Sequence, residues 1–349
     1  MNMKNDNPRH AGSYAEDALG RTRGWLPIVV VVVVVMALLA AVSVTVVRHR
    51  RSAALEAAAS SSVSSAQASL NREAASPTSS DSTSSSSPSA SKSAQTAASA
   101  AKQAKQRQLD ALRTTIERQT AGYGGTWSVY VEDMTTGAAV SVNNHRQPSA
   151  SVIKLYVMLA VYTRIAQGTL KEDMGIDSLL TEMITVSSND ATNTLVTTLG
   201  DGDATKGFDI VNRTAKANGF DETAMNDLLY DSGTHDSSLK HTSAEDAGRF
   251  MAKVYRGQLV SREYSRKMLA LLLGQQRRLK IPAGLPSGTK VANKTGEIPG
   301  TENDAAIVYG TAADHSGDYV MTVMTQNVDN GTAQSQIREL SGTVWATLR

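Results

Sequence analysis

A chain of 349 residues with a formal net charge of +2 has no basic surplus to offer a nucleic acid, and its basic residues form no stripe. It has no cysteine, which excludes disulfides, thiolate nucleophiles and Cys-based zinc sites. The six histidines form no HxxxH or HExxH pair, so neither a metal site nor a cofactor is expected.

Residues 1–24 are polar. Trp25 to Val47 then runs without a charge and contains IVVVVVVV, long enough to cross a hydrocarbon core as a helix. Its length exceeds that of a signal-peptide apolar region, so residues 25–47 are expected to stay as a single-pass anchor. Arg9, Arg21 and Arg23 precede the span and Arg48, Arg50 and Arg51 follow it, so charge alone leaves the orientation open. From 48 to 104 the composition collapses towards Ser, Ala and Thr. Such a stretch cannot bury a core, and a disordered linker is expected.

The folded domain is expected over 105–349. AKQRQLDALRTTIERQ puts Leu109, Leu112 and Ile116 on one helical face. WSVYVEDMTTGAAVSVN alternates around a Thr-Gly turn and reads as a hairpin. Helical stretches follow (SLLTEMITV, ATNTLVTTL, EDAGRFMAKVY). AAIVYG and YVMTVMTQN flank a second hairpin turn, and SQIRELSGTVWATL closes the chain as an amphipathic helix. The order predicts an α+β fold: an antiparallel sheet built from both ends of the domain, with a helical block between.

PSASVIKLYVMLAVY raises a chemical question, because Lys154 sits in an apolar run. It follows Ser151 by three residues, one helical turn away on the same face. Ser89, Ser99, Ser237 and Ser287 also have a lysine three positions on, but in linker or polar loops. Ser151 alone opens an apolar helix, where free N–H groups favour developing negative charge. Burial, together with the like charge of Lys294, would lower the pKa of Lys154 and let it accept a proton.

Further on stand Ser187-Ser188-Asn189 and Lys294-Thr295-Gly296. S-x-x-K, S-x-N and K-T-G in this order are the signature set of serine penicillin-interacting enzymes. From about residue 105 to 349 the sequence resembles the class A β-lactamases and the related penicillin-binding transpeptidases. The resemblance implies an acyl-enzyme formed on Ser151, with Lys154 as base or proton relay and Ser187 passing a proton to the leaving nitrogen. Asn189 would hold the substrate's side-chain amide, and Lys294 and Thr295 its carboxylate. The N–H groups of Ser151 and Glu297 would form the oxyanion hole, and Gly296 would let the strand approach the substrate. A β-lactam or a peptidoglycan stem peptide is the implied partner, and the catalytic domain is expected to be monomeric. Such substrates place that domain outside the cell membrane, with residues 1–24 in the cytoplasm.

The chain departs from the family pattern at several points. Ser188 replaces the usual Asp, and GTLKEDMGIDSLLTEM replaces a longer segment that gates the cleft. Glu297 and Asp304 bring acids towards a site meant for an anion. The glutamate that activates the deacylating water has two registers. Glu222 fits it as E-x-x-M-N. In the other register the position falls at Leu228 or Leu229 and has no acid; the distance to HTSAEDAG suits this second one better. The readings left open are a β-lactamase, a D,D-peptidase and a non-catalytic wall-binding module.

Overall fold

Sequence alternation along Thr126–Asp133 (β1) already defines two sides. Trp127, Val129 and Val131 enter one apolar core and Tyr130 the other. The computed structural model describes residues 88–231 and 236–349. In chain order they form a helix Pro88–Ala121 (α1), β1, Ala139–Val142 (β2) and Gln147–Pro148 (β3). A 3-10 turn, Ala150–Ile153, leads into Lys154–Ala166 (α2). Four helices follow directly or after short strands: Met174–Thr185 (α3), Asn189–Leu199 (α4), Ala204–Ala217 (α5) and, past Ala224–Met225 (β4) and Lys240–Thr242 (β5), Ala244–Tyr255 (α6). Arg262–Leu273 (α7), Val291–Ile298 (β6), Thr301–Val308 (β7), Tyr319–Gln326 (β8) and Asn330–Leu348 (α8) complete the fold.

The five-stranded sheet has the order β2-β1-β8-β7-β6, and its neighbours are antiparallel. Strands from both ends of the domain therefore meet at its centre, as β1 pairs with β8 from Thr126↔Gln326 to Asp133↔Tyr319. The terminal helices cover one face, with Leu109, Leu112 and Ile116 meeting Ile337, Leu340 and Val344. The helical block covers the other. At its centre lies α2, buried on almost every residue from Lys154 to Tyr162, as a helix apolar all round must be. Tyr156 packs edge-on against Phe220 and Phe250. A small sheet, β3-β5-β4, ties the approach to Ser151 onto the helical block.

The first helix starts earlier than composition implies. Residues 88–104, expected to be linker, are helical, and 95–104 are exposed. Ala, Lys and Gln in AASAAKQAKQRQ have high helix propensity, which carries the backbone upstream of the first packed turn without any burial. Lack of core-forming side chains excludes packing; it does not exclude a helix. The expected anchor, 25–47, lies outside the described residues. Among those residues no helix is long and apolar enough to cross a membrane.

Candidate active site

Ser151 sits on the 3-10 turn rather than on the α-helix proper, which begins at Lys154. The residue before it, Ala150, has φ 45°, a conformation that costs an L-residue energy and is held by its surroundings. Ser149 O accepts from Val152 N at 3.0 Å and tightens the turn. Ser151 is half-buried and Lys154 fully buried, so the hydroxyl meets the cleft and the amine lies beneath it.

The amine has four oxygen neighbours. Ser187 O lies at 2.6 Å, Asn189 Oδ1 at 2.7 Å, Ser151 Oγ at 3.1 Å and Ser187 Oγ at 3.2 Å. The two closest are carbonyl oxygens, which only accept. A neutral amine satisfies them with its two hydrogens and turns its lone pair towards the hydroxyls. Burial lowers the Lys154 pKa to about 7, and the positive charge of Arg277 adds to the effect; Asp231 and Glu297 oppose it.

Ser187 is the second strained residue, with φ 64°. This bend puts both its carbonyl and its hydroxyl beside Lys154, while Lys294 Nζ donates to Ser187 Oγ at 2.9 Å. Helix capping falls to Ser188, whose Oγ accepts from Ala191 N, so Ser187 and Asn189 are free for the cleft. The serine thus does part of what an aspartate would do there. Lys294 is fully buried. Desolvation, then the like charge of Lys154, holds it well below the usual lysine range.

Gly296 explains how β6 reaches this turn. A Cβ there would stand 2.8 Å from Ser149 O and 3.0 Å from Ser151 N and Val152 N. The close approach is therefore to the backbone of the turn that carries Ser151, whereas the sequence reading assigns it to the substrate. It also brings the N–H of Ser151 beside the strand that carries Glu297. Thr295 is buried, and its Oγ1 has no partner among the described residues.

The acids at this end do not oppose an anion as the sequence implied. Glu297 is bonded by Arg277 at 2.9 Å and Lys280 at 3.1 Å. Burial pushes its pKa up, yet Lys280 and Arg277 outweigh this and hold it below the usual value. Lys280, itself buried, pairs with Glu302 at 2.6 Å. Asp304 is buried against Ile281 N and Asn293 Nδ2, and desolvation raises it to about 6. Sequence reasoning missed Arg277 and Lys280, because QQRRLK reads as an ordinary polar loop.

The two residues on which the loop's registers turn have different partners. Glu222 bonds Asn144 through its carboxylate and Asp246 through its N–H, and no hydrogen bond or ion pair joins it to the motif residues among the described residues. Asn193 on α4 clamps the backbone of Leu229 in both directions, at 2.7 and 2.9 Å. Leu229 is thus fixed to the helix that carries Asn189. Lys240 ties off the loop by bonding Asp227 and Leu228 O. Asp231, also missed from sequence, accepts from Asn189 Nδ2 at 2.6 Å.

A sheet from both chain ends, a buried helix behind the serine and two lysines converging on a second serine define the β-lactamase-like class of serine hydrolase folds. The chain belongs to the beta-lactamase enzyme family, whose model matches residues 110–178 and 172–348. Among solved structures, PBP-A is similar at 24% identity and a TM-score of 0.59, over 68% of this chain and 96% of that one. A point mutant of PBP-A, captured as an acyl-enzyme complex with penicillin G, is similar at 22% identity and 0.60, over 68% and 96%. A beta-lactamase from Chitinophaga pinensis aligns at 18% identity and 0.61, over 68% and 99%. No curated protein matches the sequence.

Proposed function

We propose that this protein is a membrane-anchored, extracytoplasmic serine hydrolase that forms an acyl-enzyme on Ser151 with β-lactams. The observation that carries the reading is the Lys154 amine, buried 3.1 Å from Ser151 Oγ and within 2.7 Å of two carbonyl oxygens. In the reaction Ser151 Oγ attacks the substrate carbonyl and its proton passes to Lys154 Nζ. The N–H groups of Ser151 and Glu297 take the developing oxyanion. Ser187 gives its proton to the departing nitrogen and recovers one from the lysines on either side. Lys294 and the unpaired Thr295 hydroxyl take the substrate carboxylate, and that anion favours the charged form of Lys294.

A second reading is favoured by one residue. In the register that puts Leu228 or Leu229 where the resemblance calls for a water-activating carboxylate, Asn193 clamps Leu229 in place and release of the acyl group is slow. That behaviour suits a penicillin-binding D,D-peptidase acting on peptidoglycan stem peptides. The anchor is residues 25–47, supported by their uncharged length.

The test is intact-mass spectrometry of the protein with benzylpenicillin, followed over time. An adduct on wild type that is absent in Ser151→Ala, and retained in Ser237→Ala, is expected. An adduct that survives Ser151→Ala overturns the assignment. Protease accessibility on intact cells tests the anchor: a protected domain refutes the extracytoplasmic placement.

A further inference from the structure

An exposed carboxylate occupies a donor that the proposed function needs. Asn189 turns Oδ1 to Lys154, which leaves Nδ2 to meet the carbonyl of the substrate's side-chain amide. Asp231 accepts from that same Nδ2 at 2.6 Å. No ion pair joins Asp231 among the described residues. A substrate must displace it, and the lost bond is bettered only if the substrate supplies a partner stronger than water.

The other end of the cleft carries the groups that the proposed function gives to the substrate carboxylate. The Arg277 guanidinium spans the rim between Val186 O, at 3.4 Å, and Glu297, and Lys294 and Lys280 lie behind it. The cleft is therefore polar along its length, with paired charges and Lys294 by β6 and the Asp231 carboxylate by Asn189.

We infer that Asp231 is a specificity-determining residue that reads a cationic group beside the acyl side-chain amide, so the site prefers zwitterionic substrates. This rests on the acyl-enzyme reading above. The chemistry fixes the distance. An ammonium on the carbon next to the amide carbonyl lies within a few ångströms of the oxygen that Asn189 holds. The carboxylate leaving Asn189 Nδ2 then finds a charged donor in place of a neutral one, a stronger hydrogen bond. A neutral side chain offers no such partner, and an anionic one is repelled.

Three penicillins that differ at this carbon make the test. Ampicillin carries an amine there, benzylpenicillin a hydrogen and carbenicillin a carboxylate. Acylation rates of Ser151 are measured on the full chain by intact mass, at mildly acidic pH and low salt, so that the amine is charged. Wild type should rank them in that order, with about two- to fivefold per step, the range of a partly exposed ion pair. Asp231→Asn should flatten the series, Asp231→Glu should keep it, and high salt should compress it. Equal rates in wild type, or the same ranking in Asp231→Asn, overturn the inference while leaving the acyl-enzyme reading intact. No adduct with any of the three overturns both. An unchanged melting temperature in Asp231→Asn confirms that a flattened series is not loss of fold.

Discussion

Lys294 donates from Nζ to Ser187 Oγ across 2.9 Å, a bond between residues 107 positions apart. The same hydroxyl lies 3.2 Å from Lys154 Nζ. A serine held between two amines can give up a proton on one side and regain it on the other. Two ammonium groups so close repel, and burial makes each charge dearer. The pair is therefore most easily held with at least one amine neutral. A hydroxyl relay serves catalysis only in that state.

Lys154 should give acylation a rising pH profile. Its pKa falls to about 7, through burial first and Arg277 second, and the neutral form is the base. The rate of penicillin adduct formation should climb through that value and level off above it. Lys154→Arg should lose about 10²–10⁴-fold, since a guanidinium stays charged. The sign for stability follows from proton counts. Between about pH 7 and the ordinary lysine range the unfolded chain binds the extra proton and the native one does not. The contribution of Lys154 to stability therefore rises with pH across that window and is least below it. A flat acylation profile in stopped-flow measurements would sink the base assignment.

Arg277 should move that profile. Its positive charge disfavours a charged Lys154, and its bond neutralises Glu297, which pulls the other way. Arg277→Ala removes the first effect and frees the second, so both changes raise the Lys154 pKa. The midpoint of acylation against pH should shift to higher values, and less at high salt because Arg277 is half exposed. A midpoint that stays put or falls would show that Glu297 and Lys280 set the field without it.

Legibility in the sequence followed the kind of interaction involved. Alternation in Thr126–Asp133 and the spacing of Leu109, Leu112 and Ile116 are local and periodic, so the hairpin, the first helix and its packed face could be read directly. Ser151, Ser187 and Lys294 were legible as a resemblance, since no periodicity joins them. The cations that answer Glu297 were not. Arg277 and Lys280 come from an irregular segment, and their importance exists only once β6 and β7 set Glu297 and Glu302 beside them. Asp231 was hidden for the same reason: its partner is 42 positions away, across a loop. The upstream start of α1 escaped because composition judges burial, whereas helix formation there is a matter of propensity.

Gly296 should tolerate no side chain. The atoms facing it, Ser149 O, Ser151 N and Val152 N, are backbone and cannot rotate away. Gly296→Ala would push β6 off the 3-10 turn, an overpacking that costs about 1–3 kcal/mol. For a domain of this size each kcal/mol lowers the melting temperature by about 2–4 °C. Acylation should fall as well, because the same shift separates the two N–H groups proposed for the oxyanion. A wild-type melt together with an undiminished acylation rate would show that the strand is not pressed against the nucleophile.

Deacylation should be the slow step, and Leu229 is the reason. Asn193 fixes its backbone from both sides, so the residue cannot swing away, and its side chain is buried apolar surface. Water that reaches the acyl-enzyme beside Leu229 finds no carboxylate on that residue to take its proton, and the acid that does reach the cleft, Asp231, is engaged with Asn189 Nδ2 at 2.6 Å. General-base assistance is typically worth about 10²–10⁴-fold, and its absence should let the acyl-enzyme accumulate after a burst. Glu222→Gln should change little, because Glu222 is held by Asn144. Leu229→Glu should shorten the lifetime of the adduct, since the Asn193 clamp acts on the backbone and survives the substitution. Intact-mass decay after removal of free penicillin reads all three proteins on one scale. Rapid turnover in wild type, with a trapped adduct appearing in Glu222→Gln, would reverse the assignment and return the water-activating role to Glu222.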